Sequence, residues 1–240
     1  MSTKDILLEP GRAPAWIAPL VRELAAGNAS RRARELMALR APQNDAPDEA
    51  AVLMLFAGDS AAAQRPADAG VLITHRTPTM RSHSGQMAFP GGRIDPTDAG
   101  PVDAALREAW EETGLDRSRV TPLATLSSLT TAVSTRAVRP VLAYSAEPGS
   151  PYPASPAETD DVFFAPLSEL LKPDNRLQVG MLGWNGPAFL VNGYLVWGFT
   201  GVLLDVLLDT AGWTEPWDRN RVIPLARALR DSRNGEGQPR

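Results

Sequence analysis

Cysteine is absent from the 240 residues, which excludes disulfides, thiolate zinc sites and a cysteine nucleophile. Only two histidines occur, too few for a histidine-rich metal centre, so a metal here must be held by oxygen. Long apolar runs are missing as well. The longest, Tyr194 to Leu208, is interrupted by Asp205 and is too short to span a bilayer. There is no surplus of cations: 24 Lys and Arg against 28 Asp and Glu give a formal net charge of -4. That balance argues against nucleic acid as a partner, since binding it needs cations massed on one face. A local arginine cluster, or a bound metal, can still hold an anionic ligand. The start of the chain, Met1-Ser2-Thr3-Lys4-Asp5, lacks the basic-then-apolar pattern of a secretory leader. A cytoplasmic protein without a membrane segment is the expectation.

With 43% hydrophobic and 22% charged residues, the chain has a globular balance and the length for one well-filled domain. Trp16, Leu20, Val21 and Leu24 fall at helical spacing. Gly27 and Asn28 break that pattern, and Ser30 is the expected cap of a second, arginine-rich helix ending near Leu39. A polar, proline-containing connector follows over 41–49. The expected division is therefore an N-terminal helical segment and linker over 1–49, a main domain over 50–230, and a flexible tail over 231–240. Trp16, Leu20 and Leu24 pack either on the core or against a second subunit, which leaves a homodimer open.

From Ala50 onward the texture changes to strand-length apolar runs. Ala51–Phe56, Val71–Thr74, Val120–Leu126 and Ala137–Tyr144 are expected strands, and Pro101–Gly114 a helix stopped by Gly114. Ser145–Glu158 reads as a proline-rich loop, and Pro166–Leu171 as a short helix. Arg176–Leu182 and Ala188–Val196 suggest a hairpin around Asn185-Gly186, and Phe199–Leu208 a second buried helix. Strands interspersed with helices indicate an α/β class. Trp184, Tyr194 and Trp213 are aromatic candidates for stacking on a base, but such residues more often pack, and none is assigned.

The informative stretch is Leu106 to Leu115. At about 100° per residue, Glu108, Glu111 and Glu112 lie within about a third of the helix circumference. Val102, Leu106, Ala109, Trp110 and Thr113 are expected on the opposite, buried side. Like charges at these spacings cost about 0.2–0.5 kcal/mol per pair, which Arg107 or a cation would offset. Taken alone, the helix reads first as a solvated acidic face and second as an oxygen-ligand site for Mg²⁺ or Mn²⁺. The residues upstream separate the two readings. Phe89-Pro90-Gly91-Gly92 leads into the helix with two glycines that permit close backbone approach, and a Gly91 carbonyl there adds an oxygen opposite the carboxylates.

Gly92-x5-Asp98-x8-Arg107-Glu108-Ala109-x-Glu111-Glu112-x-Gly114-Leu115 resembles the Nudix box, G-x5-E-x7-R-E-U-x-E-E-x-G-U. Asp98 stands where Glu is usual, and the spacer to Arg107 is one residue longer. The preceding stretch, Leu72-Ile73-Thr74-x-Arg76-Thr77-x3-Arg81-x3-Gly85-x3-Phe89-Pro90-Gly91-Gly92, resembles the extended signature of coenzyme A-type Nudix pyrophosphatases. That subfamily commonly carries both departures. Weaker similarity extends to Ser155–Leu167 and Val196–Thr200. The resemblance covers about Ala50 to Leu208 and implies an α/β/α sandwich with a mixed sheet; the N-terminal helical extension and the tail lie outside it. It implies hydrolysis of a small nucleotide substrate of the coenzyme A class, to 3′,5′-ADP and 4′-phosphopantetheine or its acylated form. The alternatives are another nucleoside diphosphate such as ADP-ribose, or a non-catalytic nucleotide sensor. Glu108, Glu112, Glu111 and Gly91 are the implied metal ligands, and the general base is drawn from Glu108, Glu111 and Glu158. Ala69 to Ile94 contains no acid but holds Arg76, Arg81 and Arg93; with His83 these are the candidate substrate contacts, guanidinium being suited to phosphate oxygens.

Overall fold

The computed structural model describes residues 7–38, 48–130, 136–181 and 183–236. In chain order its elements begin with α1 (Ala18–Ala25), α2 (Asn28–Ala38), β1 (Ala50–Ala57), β2 (Gly70–Arg76), β3 (Met87–Ala88) and β4 (Gly91–Arg93). Then come α3 (Pro101–Thr113), β5 (Thr121–Thr125), β6 (Val138–Ser145), β7 (Thr159–Pro166) and α4 (Leu167–Leu171). The chain continues through β8 (Arg176–Met181), β9 (Trp184–Val191), β10 (Tyr194–Val196), α5 (Gly198–Thr210), β11 (Val222–Pro224) and α6 (Leu225–Arg230).

The unbroken apolar run of β1 suits a strand covered on both faces. Alternation sends Leu53 and Leu55 to one side and Met54 and Phe56 to the other, and all four are fully buried. β1 is parallel to β6 and antiparallel to β2 and β4; β5 pairs with β6, and β3 and β7 pair with β2. The sheet is therefore mixed. Ala104, Ala105, Leu106 and Ala109 of α3 pack on Leu53, Leu55, Leu72 and Val141. On the opposite face, α1, α2 and α5 pack on Met54, Phe56, Val71 and Leu142. The architecture is an α/β/α sandwich, as expected. A second sheet, in the order β10-β9-β8-β11, stands beside it.

Several local expectations differ. Ser30 is not a cap: it lies inside α2, and its hydroxyl accepts the Ser127 N–H at 3.0 Å. The hairpin does not turn at Asn185-Gly186. The chain reverses before Trp184, where Gly183 takes φ +79°, and Asn185 pairs with Gly180 inside the ladder. A further turn at Asn192-Gly193 divides β9 from β10, with both residues at positive φ. The N-terminal helices pack on the core: Trp16, Ile17, Leu20 and Leu24 share one apolar cluster with Phe56 and Leu204. Residues 231–236 do not fray either, since Asn234 is fully buried. The expected helix end at Leu39, the connector over 41–47, the strand end at Leu182 and the last four residues lie outside the described residues.

Asp205, which interrupts the apolar run, is accommodated by a buried partner. Arg176 reaches its carboxylate at 2.6 Å while stacked over Phe189 and Trp217. Among the described residues no helix is long and apolar enough to cross a membrane.

Candidate active site

The site forms where β4 meets α3. β4 is short because it pairs with β1 only through Ala50, Ala51 and Val52. A side chain at Gly91 would run into the Ala51 carbonyl and Val52. A Cβ at Gly92 would stand 2.5–2.6 Å from the Glu108 carboxylate. The double glycine thus lets the strand lie directly against the acidic helix.

Pro101 opens α3 in the first turn, Asp103 favours its positive end, and Gly114 closes it at φ +67° with its N–H on the Trp110 carbonyl. The expected buried side of the helix holds at Leu106, Ala109 and Thr113, with Val102 packed beside them, and fails at Trp110. Trp110 is 54% exposed, whereas Glu112 is 4% exposed. The buried stripe runs through Ala104, Ala105, Leu106, Ala109 and Glu112–Thr113.

Arg107 organises the acids. Its Nε and Nη2 donate to the two Asp98 oxygens at 2.9 and 3.0 Å, a bidentate grip. Nη1 donates to Glu108 at 3.0 Å and Glu111 at 3.1 Å, and Nη2 also reaches the Arg93 carbonyl at 2.9 Å. Asp98 is held below its ordinary range by the hydrogen bond from Arg107, and Arg107 is held firmly charged by Asp98 and Glu108. The shorter Asp98 therefore keeps the ion-pair role that Glu usually has.

Glu112 accepts the Gly91 N–H at 3.3 Å. Burial pushes its carboxyl up to about 8; Arg76 pulls the other way, and the Glu108 and Glu158 charges add to the rise. Burial also raises Glu108, with Glu111 and Glu158 adding to it against Arg107. The charges that act on these carboxylates thus include Arg76 and Glu158, from two other parts of the chain. Arg76 ends β2 half-buried, and its Nε is buried without a hydrogen-bond partner. Glu158 is exposed at the end of the proline-rich loop, which is pinned to α3 by the Tyr152 and Ala154 N–H groups on the Thr113 and Glu112 carbonyls.

Other predicted residues are not drawn in. Arg81 and His83 are exposed on the loop between β2 and β3. His83 sits at φ +54° with its Nδ1 3.0 Å from Gln86 Oε1. Among the described residues no hydrogen bond or ion pair ties Arg81 or His83 to the glutamates. Arg93 is exposed and, one residue after Gly92, projects to the other side of β4, contributing only its carbonyl. Sequence reading did not single out His75, Asn234 or Glu236, which buttress this loop from behind. No spacing signals a contact across about 150 residues.

As arranged, the acids are not closed around one point, and among the described residues no three carboxylate or imidazole side chains are grouped tightly enough to hold a metal. Arg107 holds Glu108 and draws Glu111 outward. The donor chemistry nonetheless fits a hard cation: all candidate ligands are oxygens, and a buried carboxylate held near 8 is the group that a neighbouring divalent charge would ionise.

An α/β/α sandwich carrying a carboxylate helix against a Gly-Gly strand places the chain in a class that the comparisons with known proteins identify. The chain matches the NUDIX domain over residues 49–182 and belongs to the Nudix hydrolase family. It is 33% identical over 174 residues to the probable nudix hydrolase C6G9.05 of Schizosaccharomyces pombe, covering 70% of this chain and 58% of that one. It is 36% identical to the uncharacterized Nudix hydrolase NudL of Cronobacter sakazakii, covering 61% of this chain and 77% of that one. The solved structure of RenU, a Nudix hydrolase from M. smegmatis, aligns at a TM-score of 0.48 and 21% identity, over 72% of this chain and 91% of that one.

Proposed function

We propose that the protein is a Mg²⁺- or Mn²⁺-dependent pyrophosphatase cleaving the diphosphate of coenzyme A or acyl-CoA to 3′,5′-ADP and (acyl-)4′-phosphopantetheine. The observation that carries this reading is the buried Glu112 carboxylate accepting the Gly91 N–H at 3.3 Å, where the Gly-Gly strand meets the acidic helix. Arg76, from the extended coenzyme A-type signature, ends β2 in the same sheet and is one of the charges that act on Glu112. A guanidinium with a free buried Nε beside a carboxylate pair suits a diphosphate spanning arginine and metal.

Glu112 and Glu108 would hold the cation, with Glu111 joining once released from Arg107 and the Gly91 carbonyl beside them. When bound, a divalent ion neutralises phosphate charge and acidifies a water. The chain's own work is to orient and to move a proton. Arg76 takes phosphate oxygens. Arg107 keeps Asp98, Glu108 and Glu111 in register. Of the three candidate bases, Glu108 and Glu111 are bonded to Arg107, so Glu158 is the one free to take the proton of the attacking water. The new P–O bond forms as the bridging P–O bond breaks, and its electrons leave with the departing phosphate.

Incubation of the full chain with coenzyme A, ADP-ribose and NADH in Mg²⁺ or Mn²⁺, with products separated by chromatography, tests this. Release of 3′,5′-ADP from coenzyme A, at a kcat/KM above that for the other two, is expected. Preferential release of AMP from ADP-ribose would move the protein to another substrate class. Metal-independent tight binding without turnover would make it a sensor.

A further inference from the structure

The loop Thr77–Gln86 is closed at its base by the Gly85 N–H on the Arg76 carbonyl and the Arg76 N–H on the Gln86 carbonyl, both at 2.9 Å. It is turned within by the Met80 N–H on the Thr77 carbonyl, the Gln86 N–H on the His83 carbonyl and the His83–Gln86 side-chain contact. Its outer face is exposed through Arg81, Ser82 and His83. Behind it lies the chain's distant C-terminal segment. The Asn234 side chain reads the backbone of Leu195, accepting its N–H at 2.8 Å and donating to its carbonyl at 3.0 Å, as a strand would. The Asn234 carbonyl contacts His75 Nε2 at 2.9 Å, one residue before Arg76. Glu236 accepts the Trp197 indole N–H at 2.9 Å and the Asn234 amide at 3.0 Å through one oxygen, and the Gln86 amide at 3.4 Å through the other. Gly85 makes room for this. A Cβ there would collide with the Asn234 carbonyl and stand 2.9 Å from the Glu236 nitrogen. Arg233 anchors the approach, its N–H on the Gly193 carbonyl at 2.9 Å and its guanidinium over the Tyr194 ring at 4.7 Å.

We propose that Asn234 and Glu236 are positioning residues for the substrate, fixing the Thr77–Gln86 loop against β10 so that Arg81 and His83 are presented to the ligand. The inference rests on the proposed function and adds to it that Arg81 and His83, the substrate contacts expected from the sequence, meet the ligand from this loop, although among the described residues nothing ties them to the glutamates of α3. Its physical basis is that a loop with an exposed outer face is preorganised by what packs behind it, here Asn234 and Glu236 against Gly85 and Gln86. Asn234 supplies three bonds to two separate strands, and Glu236 ties a fourth directly to the loop. Neither residue touches the carboxylates of α3, so their effect belongs to substrate affinity and not to the chemical step.

The test compares the full chain with Asn234→Ala, Glu236→Ala, Glu236→Gln and Arg81→Ala, reading kcat and KM for coenzyme A and amide hydrogen exchange along the loop. The expected result for Asn234→Ala and Glu236→Ala is a KM raised about tenfold with kcat within about twofold, and faster exchange confined to the loop and β10. Glu236→Gln keeps its acceptor oxygen and rescues most of the affinity. Gln86→Ala, which removes the loop-side partner without touching the tail, reproduces the Glu236→Ala exchange if the tail variants fold poorly. Unchanged loop exchange in Asn234→Ala, or a fall in kcat with KM unmoved, overturns the proposal. The exchange readout needs no turnover. Inactivity on coenzyme A, or an Arg81→Ala KM equal to wild type, would therefore sink the substrate reading while the tie between tail and loop is still measured.

Discussion

Glu112 is the residue on which the site's electrostatics turn. Its carboxylate is 4% exposed, accepts a 3.3 Å hydrogen bond from Gly91, and shares its surroundings with the charges of Glu108 and Glu158. Raised from 4.5 to about 8, it favours the folded state fully while the unfolded chain is also protonated, below about pH 4.5. As pH rises, the unfolded chain sheds this proton first, so the folded state loses stability until pH passes 8. In the metal-free protein this amounts to a penalty of order 3–5 kcal/mol between pH 4.5 and pH 8. Urea unfolding in EDTA across that range should show the decline, and Glu112→Gln should flatten most of it. The same substitution should cut turnover by about 10²-fold or more, because the amide carries no charge for the cation. A variant with unchanged slope and wild-type rate at saturating Mg²⁺ would remove Glu112 from the centre of the site.

At the scale of elements, what matters is how closely β4 can lie on α3. Gly92→Ala puts a methyl carbon where the Glu108 carboxylate now rests, 2.5–2.6 Å away. Either Glu108 swings off or the strand lifts from β1. Activity should fall about 10- to 100-fold while the melting temperature moves by only a few degrees, since the contact involves one partly exposed side chain. Retained kcat with intact Mg²⁺ dependence would show that Glu108 need not occupy that position. The helix, its stop at Gly114 and the close backbone approach at Gly91-Gly92 were legible in the sequence because each depends on local chemistry: helical spacing, a left-handed cap and the absence of a side chain; that the two glycines form a strand was not. The exposure of Trp110 and the burial of Glu112 were not legible either. Glu112 and Trp110 flank the same apolar stripe, and only the approach of β4 decides that the carboxylate goes under and the indole out. The second sheet shows the same limit. Asn185-Gly186 has turn chemistry, yet the ladder with Gly180 and Val179 absorbs both residues into a strand, and Gly183 makes the turn instead.

For the whole molecule, the contacts that sequence spacing does not reveal are those that join its ends to its middle. The tail reaches the substrate loop through Asn234 and Glu236. The N-terminal helices form part of one sandwich layer, even though a polar connector precedes β1. Ile17 and Leu20 are fully buried, and Trp16 packs its ring 5.6 Å from Trp213 at the far side of α5. If these helices were an appendage, removing residues 1–38 would leave a stable catalytic domain. The packing requires the opposite: α1 lies on β5 and α2 on α5, so without them buried side chains of those two elements would face water. Leu20→Ala is the milder probe. A fully buried leucine truncated to alanine costs about 2–5 kcal/mol, which lowers Tm by about 5–15 °C in a chain of this size. Arg22→Ala, exposed on the same helix, should shift it by no more than a degree or two. A truncated chain that still unfolds cooperatively, at the wild-type temperature and with wild-type turnover, would show the helices to be separable after all.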